Sequence, residues 1–232
     1  MLEQLKQHVY EANIKLVKNG LVIYTFGNVS AIDRDRGIMA IKPSGVDYDK
    51  LKPEDMVLVD LEANIVEGKL NPSSDTKTHL ELYKEFADIG GVAHTHSTFA
   101  TAWAQAKRPI PCLGTTHADY FYGEVPCTEV ISDQQIQKDY EQQTGQLILD
   151  TFNSYNYNQC QAVLVARHGP FTWGKDAAEA VFVSTILESI ARASLYSVML
   201  NPDIEAIKQT LLDQHYLRKH GDGASYGQES GQ

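Results

Sequence analysis

Two histidines two residues apart, in Gly90-Gly91-Val92-Ala93-His94-Thr95-His96-Ser97, carry the most chemical information in the chain. The apolar stretch before them follows a glycine pair and reads as a buried strand ending at His96. Side chains alternate along a strand, so residues two apart share a face. His94 and His96 can then reach one atom from a single rigid edge, and neutral imidazole is a common ligand for zinc, copper, iron and nickel. Two hydrogen-bonded histidines at a strand end would leave the same pattern. A third histidine repeats the context in Ala162-Val163-Leu164-Val165-Ala166-Arg167-His168-Gly169-Pro170, where an apolar run leads to a His and a turn signal. Strands ending at one sheet edge would gather all three, and three histidines with an open position describe a catalytic metal site. Cys112, Cys127 and Cys160 show no CxxC spacing and are odd in number, as reduced thiols of a cytosolic protein are.

Four short polar segments have chemistry to offer beyond turn formation: Gly27-Asn28-Val29-Ser30, Lys42-Pro43-Ser44-Gly45, Asn71-Pro72-Ser73-Ser74-Asp75-Thr76 and Thr115-Thr116-His117-Ala118-Asp119-Tyr120. Their residues are ordinary turn formers. Gly and Ser beside backbone amides also make anion nests, and a following helix adds a favourable dipole. Lys42 adds a point charge suited to a phosphate. Asn28, Lys42, Ser44, Gly45, Ser73 and Ser74 together make a chemically coherent phosphate site.

The elements that must position these residues alternate between helices and strands. Leu5, Val9, Ala12 and Leu16 mark one helical face, stopped by Asn19-Gly20. Strands are expected over Leu21 to Phe26, Asn28 to Asp33 and Ile38 to Ile41, with a hairpin over Val57 to Leu61 and Asn64 to Val66. A helix should follow Ser74 and another should run from Thr98 to Ala106. Ser132 with Gln135 forms a capping box that opens a helix to about Phe152. Asp176 with Glu179 opens one to about Leu200, and a last helix covers Asp203 to about His215. The 232 residues, 43% hydrophobic, suit one domain over 1–228 with a polar tail at 229–232. The expected class is α/β, a central mainly antiparallel or mixed sheet flanked by helices. A net charge of −10 argues against non-specific nucleic-acid binding. No signal-peptide core follows Met1, and no apolar run approaches a membrane span, so a cytoplasmic location without membrane contact is expected.

The polar strings and histidines, taken in order, resemble the L-ribulose-5-phosphate 4-epimerases of the class II aldolase and adducin superfamily. The likeness runs through Gly27-Asn28-Val29-Ser30-Ala31, Ile41-Lys42-Pro43-Ser44-Gly45-Val46, Pro72-Ser73-Ser74-Asp75-Thr76 and His94-Thr95-His96-Ser97. It continues through Gly114-Thr115-Thr116-His117-Ala118-Asp119-Tyr120-Phe121, His168-Gly169-Pro170-Phe171, His215-Tyr216-Leu217-Arg218-Lys219-His220-Gly221 and Tyr226-Gly227-Gln228. The resemblance implies a class II aldolase-like fold, with His94, His96 and His168 as ligands of one Zn2+ per subunit and Asp75 associated with that metal. It implies that Gly27, Asn28, Lys42, Ser44, Gly45, Ser73 and Ser74 bind a sugar phosphate. Asp119 and Tyr226 match an acid/base pair that reaches the metal from a neighbouring subunit of a homotetramer. Thr115, Glu141, His215 and Arg218 match further polar positions near the site.

The chemistry is consistent with those residue types. Carbon 4 of a ketopentose 5-phosphate lies two bonds from the carbonyl, so its C–H is not acidified. The C3–C4 bond can break as a retro-aldol, giving the enediolate of dihydroxyacetone and glycolaldehyde phosphate. A metal stabilises that charge as a Lewis acid. The aldehyde turns its other face and the bond reforms, with one group taking and another returning the C4-hydroxyl proton. Each residue also has a plainer reading. Asp75 suits a helix N-cap or first turn, Asp119 a loop turn, and Tyr226 a Gly-rich tail. His79 and His117 have no assigned role and default to surface or supporting positions. Trp103 and Trp173 read as packing residues, and Tyr120, Phe121 and Tyr122 as core or interface. Three classes stay open: this isomerase, in L-arabinose or L-ascorbate breakdown; a zinc aldolase or dehydratase on the same scaffold; and a non-catalytic module like the adducin head. Related aldolases carry Glu where this chain has Asp75, which favours the epimerase branch, and intact histidines disfavour the third class.

Overall fold

A computed structural model describes residues 1–221 and 224, and Tyr226 and the 229–232 tail lie outside them. Among the described residues the strands are β1 (Asn28–Asp33), β2 (Ile38–Ile41), β3 (Val57–Asp60), β4 (Ile65–Glu67), β5 (Gly91–His94), β6 (Ala162–Leu164) and β7 (Pro170–Gly174). They form one sheet in the order β4-β3-β2-β1-β5-β7-β6. Every neighbouring pair is antiparallel. The helices are α1 (Leu2–Lys18), α2 (Thr76–Glu85), α3 (Thr98–Ala106), α4 (Thr115–Ala118), α5 (Asp133–Phe152), α6 (Ala177–Leu200) and α7 (Gln209–His220).

The alternation of strand side chains divides the core into two layers. Val29, Ala31 and Ala93 pack with Val9 and Leu16 of α1 and with Ala180 and Val181 of α6. On the opposite face, Val92, Phe171 and Trp173 pack with Leu80, Tyr83 and Phe86 of α2 and with Ile148 and Phe152 of α5. The capping box expected at Ser132 and Gln135 is present in both directions. At α6 the Asp176 carboxylate accepts from the Glu179 amide. Both caps satisfy backbone donors that a helix start otherwise leaves orphaned.

Asn13 solves a local accounting problem at the end of the sheet. Pairing of β1 with β2 stops at Ser30 and Ile41. Val29, one residue further, has no β2 partner for its amide and carbonyl. The buried Asn13 side chain replaces the missing strand: Oδ1 accepts from the Val29 amide at 2.9 Å, and Nδ2 donates to the Val29 carbonyl at 3.0 Å. It also donates to the Val9 carbonyl at 2.8 Å, so α1 is locked to β1 beside Asn28.

The structure departs from the sequence expectations in four places. Leu21 to Phe26 is not a strand: Tyr24 takes a left-handed φ of 53°, and the Phe26 amide bonds back to the Ile23 carbonyl. The last helix starts at Gln209, not Asp203, because the Ile207 amide is drawn to the Cys112 carbonyl and holds the preceding stretch non-helical. Thr115 to Ala118, expected in a loop, forms one helical turn. Finally, α6 is long and apolar enough to cross a membrane by length and composition, with a mean hydropathy of 1.2. It is instead a core helix of the sheet layer, and its Glu188 carboxylate accepts from the Phe99 and Ala100 amides at the start of α3, both at 2.9 Å.

Replacing Asn13 by Leu should unpair both backbone groups of Val29 in a buried setting. The expected loss is about 1–3 kcal/mol of folding stability, read from the urea midpoint at unchanged m-value. An unchanged midpoint would show that the side chain is not the sheet's substitute partner.

Candidate active site

The three histidines converge where the sheet places them. Asn28 on β1 lies opposite His94 on β5, and His94 lies opposite Phe171 on β7. All three face the α2 side. β5 ends at His94, two residues earlier than the sequence suggested, and His96 follows beyond the strand. His168 sits in the turn joining β6 to β7, after Arg167 at a φ of 67°. One nitrogen from each ring lies within 4.8 Å of the other two. Nε2 of His94 and Nε2 of His96 are 3.0 Å apart, a spacing at which two imidazole lone pairs can share one cation.

The surroundings prepare these rings as ligands. His94 donates from Nδ1 to the Pro170 carbonyl at 3.0 Å, which leaves its Nε2 with the lone pair. Its ring stacks on Phe171, with centroids 4.2 Å apart. Burial pushes the His94 imidazole down to about 3, aided by the neighbouring His96 and opposed by the Pro170 carbonyl. Burial likewise takes His168 to about 3, with His94 and His96 beside it adding to the effect and Asp75 opposing it. The His96 ring is lowered by burial against the opposing pull of Asp75. Neutral imidazoles at ordinary pH are what a divalent metal requires, so this donor set fits a bound cation.

Asp75 is the N-cap residue of α2 by position, yet its side chain makes no capping bond. Its Oδ2 instead accepts from Asn28 Nδ2 at 2.6 Å. The converging ligand set consists of the three imidazoles, with Asp75 outside it but lining the same cleft. That cleft of about 340 Å³ is also lined by Gly27, Asn28, Lys42, Ser44, Gly45, Ser73, Ser74, Thr25, Phe26 and Pro43. All seven substrate-binding candidates read from the sequence therefore share one cavity with the histidines. Two strings are laced together there, since the Ser44 amide donates to Asn71 O and the Ser73 amide to Lys42 O. Those two amides serve the fold and are not free to cradle an anion, as the nest reading supposed.

Lys42 is the cleft's buried cation, 1% exposed. Its Nζ donates to the Pro43 carbonyl at 3.3 Å and the Thr25 carbonyl at 3.5 Å. Burial pushes its ammonium down to about 8, with Asp47 pulling it back up. Gly27 lines the same cleft at a φ of 73°, and a Cβ there would lie 2.8 Å from the His94 carbonyl oxygen. Only glycine lets the turn approach the end of β5 this closely.

Other candidates assemble elsewhere in the chain. Asp119 caps α4 and is held by α7: His215 Nδ1 donates at 3.0 Å, Arg218 Nη2 donates at 3.1 Å, and Lys219 Nζ lies 3.5 Å away. Burial raises this carboxyl, but the His215 and Arg218 hydrogen bonds and the Lys219 charge outweigh it and hold it below the usual carboxylate range. None of Asp119, His215, Arg218 and Thr115 lines the histidine cleft. Glu141 follows Tyr140 on α5 and accepts from Thr78 Oγ1 through its carbonyl at 2.6 Å.

Three neighbours escaped sequence reasoning. Tyr140 places its hydroxyl 3.4 Å from His168 Nδ1, aimed there by a break in α5 at Asp139. His79, which the sequence assigns by default to a surface or supporting position, is fully buried; its Nδ1 meets Ser30 Oγ at 2.7 Å, and that oxygen meets Tyr83 at 2.9 Å. Tyr48 donates to the Phe26 and Gly27 carbonyls. The string His79…Tyr83 was the one available signal, since i and i+4 share a helix face. His117 is also buried, and its Nε2 donates to the Gly123 carbonyl at 2.8 Å.

Residues 7–195 match the family model described as Class II Aldolase and Adducin N-terminal domain. The chain is 50% identical over 228 residues to L-ribulose-5-phosphate 4-epimerase UlaF of Salmonella paratyphi A, covering 98% of this chain and all of the relative. The relative of the same name in Salmonella typhi matches equally. Among solved structures, an L-fuculose 1-phosphate aldolase superposes with a TM-score of 0.79 at 25% identity, covering 94% of this chain and 96% of that one.

Two outcomes follow from this geometry. His96→Asn should leave the purified protein with well under one divalent metal per chain by elemental analysis; full occupancy would remove His96 from the site. Binding of inorganic phosphate should weaken up to about fivefold from pH 8 to pH 9, as the Lys42 ammonium is lost. The sign differs for folding: between about 8 and the ordinary lysine value of 10.5 the folded chain holds fewer protons at Lys42 than the unfolded chain, so this group adds stability as pH rises through that window. A phosphate affinity that stays level across this interval in calorimetry would exclude Lys42 as the anion's cation.

Proposed function

Because the chain belongs to the class II aldolase and adducin family, we propose that it is an L-ribulose-5-phosphate 4-epimerase, interconverting that substrate with D-xylulose 5-phosphate. The observation that carries this reading is the shared cleft, in which three converging imidazoles and a buried lysine line the walls of one cavity. It is supported by the half-identical curated epimerase that matches over its full length. A sugar phosphate has two ends to match those walls.

His94, His96 and His168 would hold a zinc ion, which when bound supplies Lewis-acid stabilisation of the charge developing on the ketone half. Lys42 binds the phosphate, aided by the Ser44, Ser73 and Ser74 hydroxyls. Asn28 keeps the Asp75 carboxylate oriented at the metal-facing end. A base takes the C4-hydroxyl proton as the C3–C4 bond breaks, and the aldehyde carbon presents its other face before the bond reforms and the proton returns. Asp119 and Tyr226 fill these roles from a neighbouring subunit of a homotetramer. Asp119 lying outside its own chain's histidine cleft agrees with that arrangement.

The deciding assay incubates metal-replete protein with L-ribulose 5-phosphate and identifies the products. D-xylulose 5-phosphate is expected. Accumulating dihydroxyacetone and glycolaldehyde phosphate would make the chain an aldolase, and no conversion would refute the reading. Lys42→Met should raise KM strongly at unchanged metal content, and phosphate-free L-ribulose should be a poor substrate for the native protein, because binding energy at the phosphate is used to raise turnover. Equal efficiency on both sugars would show that the cleft does not hold phosphate. Mixing Tyr226→Phe chains with His96→Asn chains should restore activity above either parent in confirmed hybrids; hybrids as inactive as the parents would exclude a shared site.

A further inference from the structure

Tyr48 touches both walls of the cleft without lining it. The side chain is 7% exposed and lies beyond the Ser44-Gly45 turn. Its hydroxyl donates to the Gly27 carbonyl at 2.9 Å and to the Phe26 carbonyl at 3.1 Å, sharing one hydrogen between them. Its ring lies under the Lys42 ammonium, 4.7 Å from the centroid. The aromatic face carries partial negative charge and attracts a cation. A buried ammonium is costly unless such partners surround it. The two carbonyls near Lys42 Nζ lie at 3.3 and 3.5 Å, the long end of hydrogen-bond range. The ring face therefore stands among the principal partners of this charge.

The hydroxyl end acts on the other wall. Thr25, Phe26 and Gly27 line the cleft, and the Phe26 ring stands 6.1 Å from that of His96. Gly27 is wedged against the His94 carbonyl. One rigid side chain with two torsions thus ties the cation wall to the imidazole wall.

We propose that Tyr48 is a positioning residue that sets the spacing between the anion-binding Lys42 and the turn abutting the metal ligands, and so selects substrates whose anionic end lies a fixed distance from their metal-binding end. This rests on the proposed reading of the cleft as a sugar-phosphate site. The phenol touches no reacting atom. It acts through Lys42 at one end and through Gly27 at the other, and two substitutions separate these actions. Tyr48→Phe keeps the ring under the ammonium and removes the tether. Tyr48→Leu removes both.

The experiment uses the metal-loaded protein and measures metal content, melting temperature, kcat and KM for L-ribulose 5-phosphate, and calorimetric binding of inorganic phosphate. Tyr48→Phe is expected to bind phosphate within about twofold of the parent while kcat falls, since the aligned wall moves and the cation does not. Tyr48→Leu is expected to lose kcat as well and to weaken phosphate binding by roughly 2- to 30-fold, the range of a cation–π contact. Metal content should stay at the parental level in both. A lower melting temperature with kcat, KM and phosphate binding unchanged would reduce Tyr48 to a structural residue and overturn the proposal. Equal weakening of phosphate binding by both variants would overturn the division between ring and hydroxyl. If the parent protein does not turn over the sugar phosphate, the epimerase reading fails by itself, and the phosphate titrations still decide whether Tyr48 holds Lys42 in place.

Discussion

The antiparallel register that sets Asn28 beside His94 and His94 beside Phe171 is the constraint on which the site depends. A slip of one residue would turn His94 toward α1 and α6, into a layer built of Val9, Leu16, Ala180 and Val181. In the observed register one row of the sheet supplies the hand that grips Asp75, a metal-competent imidazole and the aromatic plate behind it. That row is held from below. Trp173 is two residues along β7 from Phe171, on the same face, and packs with Phe86 and Phe152 at centroid distances of 5.2 and 5.0 Å. Such pairs add about 0.5–1.5 kcal/mol each beyond the area they bury. The strand that backs the site is therefore also among the best anchored.

The same burial that costs stability makes the site useful. Lys42, Asn28, His79 and His94 are all nearly or fully buried, and Asn28 Oδ1 and His79 Nε2 have no partner among the described groups. Unpaired polar groups in the interior carry a penalty of a few kcal/mol at most each. Desolvation drives the imidazoles far below their usual range, so protons do not compete with a cation for them. It also draws Lys42 toward neutrality, so an arriving dianion restores a charge the fold alone holds weakly. Apolar packing by α2, α5 and the β7 aromatics offsets this expense in a layer directly beneath the cleft.

Much of this was legible from the residues because local signals and tertiary roles agree. The caps at Ser132 and Asp176 open helices where expected, the α3 boundaries match, and the HxH pair and His168 meet. The misreadings arise where tertiary partners override local pattern. Leu21 to Phe26 has strand-like composition, but folding over the end of β5 turns Ile23 and Tyr24 outward. The stretch before α7 is drawn out of helix by the Cys112 carbonyl, a contact nearly a hundred positions away. Tyr48 and Tyr140 support the site through bonds that no motif spacing encodes, since each acts on a residue from a different element. The likeness gives Asp119 a role at the metal of a neighbouring subunit, and among the described residues of one chain its carboxylate gathers with α7.

That separation has a chemical consequence for the proposed reaction. Asp75 is the cleft's lining carboxylate, and it is already engaged by Asn28 on the metal-facing side. A proton leaving the C4 hydroxyl needs a group placed on the sugar's other side. In the proposed reading Asp119 takes that task, and its surroundings suit it. His215, Arg218 and Lys219 fix its carboxylate from three directions and favour the ionised form. A carboxylate so held starts as a proton acceptor, and by microscopic reversibility it returns the same proton in the opposite direction. The partner group for the second epimer must begin protonated, and a phenol meets that condition at neutral pH. Under the proposed reading, pairing an acid held ionised with one that is naturally protonated would let one site serve both faces of the aldehyde, with a neighbouring chain bringing the pair to the histidine cleft.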